Sequence, residues 1–112
     1  MLFSEKEFFT VSEINSVIRE VLTSGFPNAV WVCGEIQGYD RNRDKKHAFF
    51  ELCEKNSLTK EVAARIGLVI FSGRRVFIEE TLATAQNAFQ LKDDIEVKFL
   101  CRVDFYPPHG AV

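Results

Sequence analysis

Ala29-Val30-Trp31-Val32-Cys33-Gly34-Glu35-Ile36-Gln37-Gly38-Tyr39 alternates residue by residue, with Val30, Val32, Gly34 and Ile36 on one face and Trp31, Cys33, Glu35 and Gln37 on the other. A period of two over this length marks a half-buried strand, because successive side chains of extended backbone point to opposite faces. Gly34 and Gly38 supply places where that strand can bulge or bend sharply.

Upstream of this strand the period is helical. Thr10-Val11-Ser12-Glu13 matches a capping box, with Phe9 and Ile14 placed to form a hydrophobic staple. Ile14, Val17, Ile18, Val21 and Leu22 recur on one face, Glu13, Asn15, Ser16, Arg19 and Glu20 fill the other, and Ser24-Gly25 with Pro27 beyond stops the helix. Downstream comes the basic loop Arg41-Asn42-Arg43-Asp44-Lys45-Lys46, and then a second strand, His47 to Cys53, with Ala48, Phe50 and Leu52 set against His47, Phe49 and Glu51. Glu54 to Val62 is polar and aperiodic, which predicts an exposed hairpin loop with room for a short helical turn around Leu58 to Ala64. Arg65 to Phe71 reads as a third strand ended by Ser72-Gly73. Arg74 to about Ala88 reads as a helix carried by Ile78, Leu82 and Ala85, Ile95 to Tyr106 as a fourth strand, and Pro107-Pro108-His109-Gly110 as a turn.

Helix, three strands, helix, strand, turn is a mainly β order with helices. It matches an OB-fold, a five-stranded Greek-key barrel with a helix between strands 3 and 4, whose strands 2 and 3 form the usual oligonucleotide face. The fifth strand would begin where this chain stops, so it is expected to be truncated. The predicted organisation is an N-terminal helical extension over residues 1–25, packed on the barrel, and an OB domain over residues 26–112.

At 112 residues with 46% apolar content the chain can bury one core, and a second independent domain is not expected. No apolar run approaches a membrane span, and Met1 to Glu7 lacks the pattern of a secretory signal, which predicts a cytoplasmic protein with no membrane partner. Cys33, Cys53 and Cys101 are far apart and sit in apolar runs, so they read as buried reduced thiols. A net charge of −2 argues against nucleic acid binding over the whole surface. Binding must come from a local patch, and the basic loop is the densest, with Arg65, Arg74 and Arg75 as candidate neighbours; a solvated loop is the plainer reading of the same run.

Several segments together resemble the N-terminal region of the exodeoxyribonuclease VII large-subunit family. Phe9-Thr10-Val11-Ser12-Glu13-Ile14-Asn15 is similar to its opening Y/F-T/S-V-S-E-L-N, and Val30-Trp31-Val32-Cys33-Gly34-Glu35-Ile36 to its V-W-V-x-G-E-I strand. His47-Ala48-Phe49-Phe50-Glu51-Leu52 resembles H-x-Y-F-x-L, Val69-Ile70-Phe71 with Gly73 resembles V-M-F-x-G, and Tyr106-Pro107-Pro108-His109-Gly110 resembles the Y-x-P-x-G turn. The likeness runs from about Phe9 to Gly110. It departs at Lys55 to Val62 and Phe77 to Leu91, which are longer than usual, and at Cys101, where glycine is usual. The family's catalytic region and coiled-coil tail have no counterpart in this chain. The resemblance therefore implies a single-stranded-DNA-binding module that is not itself catalytic. The intact protein would be a hydrolase that degrades single-stranded DNA to short oligonucleotides together with a small helical subunit.

An OB surface holds single strands with a basic groove for phosphates and aromatic faces for bases. The candidate stacking residues are Trp31, Tyr39, Phe49 and Phe71, and the candidate phosphate partners are Arg41, Arg43, Lys45, Lys46, Arg65 and Arg74, with His47 at the strand edge. Trp31 also fits packing under the first helix, Phe49 also fits the core, and Phe50 is expected there. Asp40, Asp44, Asp93 and Asp94 read as solvated turns rather than metal ligands. No nucleophile elbow, phosphate loop or Cys/His pair occurs, so no catalytic residue, metal or cofactor is expected in this chain. Two other readings stay open: a protein-docking module within the nuclease assembly, and an OB domain that binds RNA.

Overall fold

The computed structural model describes residues 8–105. The expected turn at 106–110 and the start of a fifth strand lie outside the described residues. The elements are α1 (Val11–Gly25), β1 (Val30–Gln37), a 3-10 turn (Asp40–Asn42), β2 (Ala48–Lys55), β3 (Val62–Ile70), α2 (Ser72–Thr84) and β4 (Glu96–Cys101). The strands form one four-stranded antiparallel sheet in the order β3-β2-β1-β4, which is the OB arrangement of helices and strands without a closed barrel among the described residues. No described helix is long and apolar enough to cross a membrane.

Two compact units divide the chain, one holding residues 8–31 and 100–105 and the other Val32–Phe99. In the first, α1 starts where its sequence demands. Thr10 Oγ1 accepts from the Glu13 amide at 3.2 Å and the Thr10 amide donates to Glu13 Oε1 at 3.2 Å, closing the predicted capping box. The helix ends with the Phe26 amide on the Leu22 carbonyl at 2.9 Å. Arg19 grips Asp104 through Nε and Nη2, both at 3.0 Å, and this hydrogen-bonded guanidinium holds the Asp104 carboxyl below its ordinary range.

The second unit contains the core. Ile36, Tyr39, Ala48, Phe50, Leu52, Ile70 and Leu91 are buried together, with Val32, Leu68, Ile78, Leu82, Ile95, Val97 and Phe99 packed against them. The faces follow the predicted alternation: inward residues of β2 pair with inward residues of β3, Ala48 with Ile70 and Phe50 with Leu68, while the buried Leu52 pairs with Ile66, which is exposed. Phe49 opposite Val69 and Glu51 opposite Gly67 therefore share the outer face.

Four expectations are corrected. No helical turn forms around Leu58 to Ala64, because Asn56 organises a tight turn there: its Oδ1 accepts from the Leu58 and Thr59 amides at 2.9 and 3.1 Å, and its amide donates to Glu61 O at 2.8 Å. Ala63 and Ala64 are then free to join β3. Helix α2 begins two residues before Arg74, since His47 Nδ1 accepts from the Ser72 amide at 3.0 Å and satisfies an otherwise orphan donor. It ends at Thr84 instead of Ala88. Leu82 is its last residue packed on the core, and the Thr81 and Thr84 hydroxyls turn back onto the carbonyls of Phe77 and Glu80. Of the cysteines only Cys53 is buried; Cys33 lies on the outward side of β1 and is exposed, and Cys101 is half-buried.

At Gly34 β1 lies close against β2. A Cβ there would stand 3.1 Å from Cys53 O and 3.2 Å from Leu52 Cβ, so Gly34→Ala should lower stability by about 1–3 kcal/mol through overpacking. Gly67→Ala places its Cβ with nothing within 4 Å and should change stability by less than about 1 kcal/mol. Urea unfolding of the two variants against the parent checks the contrast, and equal midpoints would show that β2 yields at this contact.

Candidate nucleic-acid interface

The basic loop gets its shape from a cation that lies outside it in sequence and inside it in space. Arg75, in the first turns of α2, points inward and is 6% exposed. Its Nη1 donates to Asn42 O at 2.9 Å and to Lys45 O, its Nη2 to Arg43 O at 3.2 Å, and its Nε to Glu79 Oε1 at 2.9 Å. One planar fork thus holds three carbonyls of the loop. Asn42 adds a second anchor: it is buried, and its Nδ2 donates to Gly38 O at 2.8 Å and to Phe49 O at 2.6 Å, tying the loop to β2. Asp93 adds a third by accepting the Tyr39 and Asp40 amides at 2.7 and 3.2 Å. At the loop's start Gly38 turns with φ 81°, a conformation that costs other residues, and the Arg41 guanidinium lies against its backbone.

Tyr39 closes this cluster from below and is corrected as a candidate base platform. It is 0% exposed, its ring meets Phe50 edge-on at 5.2 Å, and the Arg75 guanidinium covers it at 5.2 Å. Its Oη donates to Glu79 Oε1 at 2.7 Å. Burial first, and then that hydrogen bond, push the phenol above its ordinary value. Burial alone would raise Glu79, but the hydrogen bonds from Tyr39 and Arg75 outweigh it and hold the carboxyl below its ordinary 4.5. Burial alone would lower Arg75, but its hydrogen bonding with Glu79 and Tyr39 outweighs it and raises the guanidinium above its ordinary value.

The other candidates fall into separate groups. His47, Phe49 and Phe71 come together at one end of the outer face: the His47 and Phe71 rings meet edge-on at 5.4 Å, and Phe49 and Phe71 are 42% and 56% exposed. Lys45 and Lys46 lead directly into His47, and with Arg41 and Arg74 they are exposed and form no ion pair among the described residues. Arg43 is exposed but occupied, donating to Asp40 Oδ1 at 2.8 Å and to Leu91 O at 2.9 Å, so it serves the loop before any phosphate. Arg65 lies on β3, 3.8 Å from Glu51. Trp31 belongs to the other compact unit, where it is 67% exposed at the start of β1.

The sequence gives no sign of Glu79, and it reads Asn42 as part of the basic loop, Arg75 as a candidate neighbour of that patch and Asp93 as a solvated turn; the structure makes all four anchors of the loop's interior. Arg75 carried a readable signal, since it precedes Ile78 and Leu82 at the i, i+3, i+7 spacing of an inward helical stripe. Among the described residues no three His, Cys, Asp or Glu side chains gather as metal ligands would.

Removing the fork by Arg75→Met leaves loop carbonyls without their donor and should cost about 1–3 kcal/mol of stability while amide exchange quickens across residues 40–47. Exchange there as slow as in the parent would deny Arg75 its place. The stability that Glu79 contributes is present above its ordinary 4.5 and is lost as pH falls through its lower folded value. Glu79→Gln should therefore flatten that limb of an acid-unfolding curve.

Comparison with known proteins agrees with this geometry. Residues 9–112 match the family model described as an OB-fold nucleic acid binding domain. The chain is 29% identical over 106 residues to the exodeoxyribonuclease 7 large subunit of Syntrophomonas wolfei subsp. wolfei, an alignment covering 94% of this chain and 22% of that protein. It thus spans about a fifth of the length of this curated relative. No solved structure matches. With the family match covering nearly the whole chain, and with the predicted order of helices and strands in place, this chain belongs to the OB-fold nucleic-acid-binding domain family.

Proposed function

We propose that this domain captures single-stranded DNA with little regard to overall sequence and delivers it to a nuclease region outside the chain, as part of an exodeoxyribonuclease VII large subunit. The observation that carries the proposal is the exposed aromatic end of the β2–β3 outer face, His47, Phe49 and Phe71, placed directly after a loop whose Lys45 and Lys46 have no acidic partner among the described residues. Rings supply stacking surfaces worth about 1–3 kcal/mol per base, and the cations supply phosphate contacts. In this reading the assembled cytoplasmic enzyme hydrolyses the captured strand to short oligonucleotides and uses a small subunit that engages regions outside this chain. The domain supplies grip and direction, while the bond-breaking groups reside elsewhere.

A docking role is the second reading, favoured by Val76 and Phe77, which stand exposed on α2 beside Arg74. An RNA strand would meet the same rings and cations.

Fluorescence anisotropy of labelled oligonucleotides across a salt series separates these readings. Single-stranded DNA should bind with an affinity that falls with salt, at a log-log slope of about 0.7 per phosphate contacted. Lys45→Glu/Lys46→Glu should lower both affinity and slope. Arg43 is unsuitable for this test because its loss also disturbs the loop. Tighter binding of the matched RNA would reassign the ligand, and no binding at low salt would leave docking as the function.

A further inference from the structure

The outer face of the β2–β3 hairpin changes character at Gly67. Toward α2 it carries His47, Phe49, Val69 and Phe71; away from α2 it carries Glu51 and Arg65. Gly67 pairs directly with Glu51, so no side chain stands across from the carboxylate, and the space where a Cβ would project holds no atom within 4 Å. A notch floored by backbone therefore lies between the Phe49–Val69 pair and the Glu51–Arg65 pair. Glycine within a strand marks a bulge, a sharp bend or a close approach by a ligand or another backbone, and the open space at Gly67 fits the last of these.

The acid beside this notch is under-occupied. Glu51 Oε1 stands 3.8 Å from Arg65 Nη1, beyond hydrogen-bond distance, and the two side chains are 35% and 60% exposed. Glu35 on the neighbouring strand is the contrast: its Oε1 accepts from Lys55 Nζ at 2.9 Å and from Gln37 Nε2 at 2.7 Å. Glu51 has no such bonds among the described residues, so its acceptor positions remain available to a ligand.

We propose that the notch at Gly67 is a base subsite, in which Glu51 and Arg65 select cytosine and adenine, whose pairing edges carry an amino group at the position where thymine carries a carbonyl, over thymine. The proposal rests on the single-stranded-DNA reading and makes it more specific. Phe49 and Glu51 are consecutive outward residues of β2, about 7 Å apart along the strand, so a base stacked on Phe49 directs its pairing edge over Gly67 toward the carboxylate. Cytosine presents there an amino donor followed by ring nitrogen and carbonyl acceptors, which suits a carboxylate followed by a guanidinium. Thymine presents a carbonyl at the position of that amino group and sets oxygen against oxygen. A carboxylate accepting from the cytosine amino group is an established mode of base readout. Gly67 matters because any larger residue would occupy the path of the base.

The experiment compares labelled oligo-dC and oligo-dT of equal length at neutral pH and fixed salt, with the parent, Glu51→Gln and Gly67→Ala. Oligo-dC should bind the parent at least about fivefold more tightly, the low end of what one such contact discriminates. Glu51→Gln should reduce that ratio toward one, since it replaces one acceptor oxygen by a donor. Gly67→Ala, with an unchanged urea midpoint, should weaken oligo-dC and leave oligo-dT nearly unaffected. Equal affinities in the parent, with neither variant altering their ratio, would overturn the subsite while leaving strand capture intact. Failure of both oligonucleotides to bind the parent would overturn the underlying reading and the subsite with it.

Discussion

The buried guanidinium of Arg75 is the contact on which the functional end of this domain depends. The residues between β1 and β2 form no sheet, and their carbonyls need donors that the ladder cannot supply. A lysine could place one ammonium near them, but the flat five-donor fork of arginine reaches three loop carbonyls and Glu79 at once. Burying a cation is costly unless it is paired and hydrogen-bonded. Here Glu79 supplies the countercharge, the carbonyls take up the donors, and the Tyr39 ring covers the guanidinium. The arrangement ties α2, the loop and the core into one unit of structure.

That arrangement also sorts the loop's charges by task. Arg43 is spent inside the loop on Asp40 and Leu91, whereas Lys45 and Lys46 are exposed on a backbone that is already fixed and Arg41, also exposed, rests its guanidinium against Gly38. A flexible loop would have to surrender conformational entropy when a phosphate chain docked on it. With Asn42 fastened to β2 and Arg75 fastened to the carbonyls, most of that ordering occurs during folding. Two neighbouring basic residues thus have opposite destinies: Arg74 stays at the surface and Arg75 goes to the interior, where the loop carbonyls and Glu79 take up its donors.

What could be read from the sequence was local. The capping box of α1 involves residues three apart, and strand alternation needs only a period of two, so the helix start and the inward sets Ala48, Phe50, Leu52 and Val32, Ile36 follow from short stretches. The loop's interior follows from distant partners. Tyr39 resembles an exposed aromatic beside a basic run until Glu79 and Asp93 are brought to it from 40 and 54 residues away. Arg43 likewise resembles a free cation until Leu91 arrives. The shorter α2 is a milder case, because Ala85 fits a helical stripe but has no core left to cover once Leu82 has packed. The OB order itself survived these errors, since it depends on the number and sequence of elements and not on where each one ends.

A net charge of −2 and a nucleic-acid face are compatible because several of the acids around that face are paired with cations in place. Glu35 is held by Lys55, Asp40 by Arg43 and Glu79 by Arg75, so most of the acids near the cations of the loop's outer edge are already paired, with Asp44 beside them in the loop. At physiological ionic strength the field of an exposed charge fades over about 8 Å, so what a phosphate experiences on arrival is the nearby patch and not the formal sum over the chain. A patch of this size contributes few phosphate contacts, and the remaining affinity has to come from rings. Weak, salt-sensitive grip with stacking suits a module that must pass a strand onward, since a surface that neutralised every phosphate along its length would hold the strand in place.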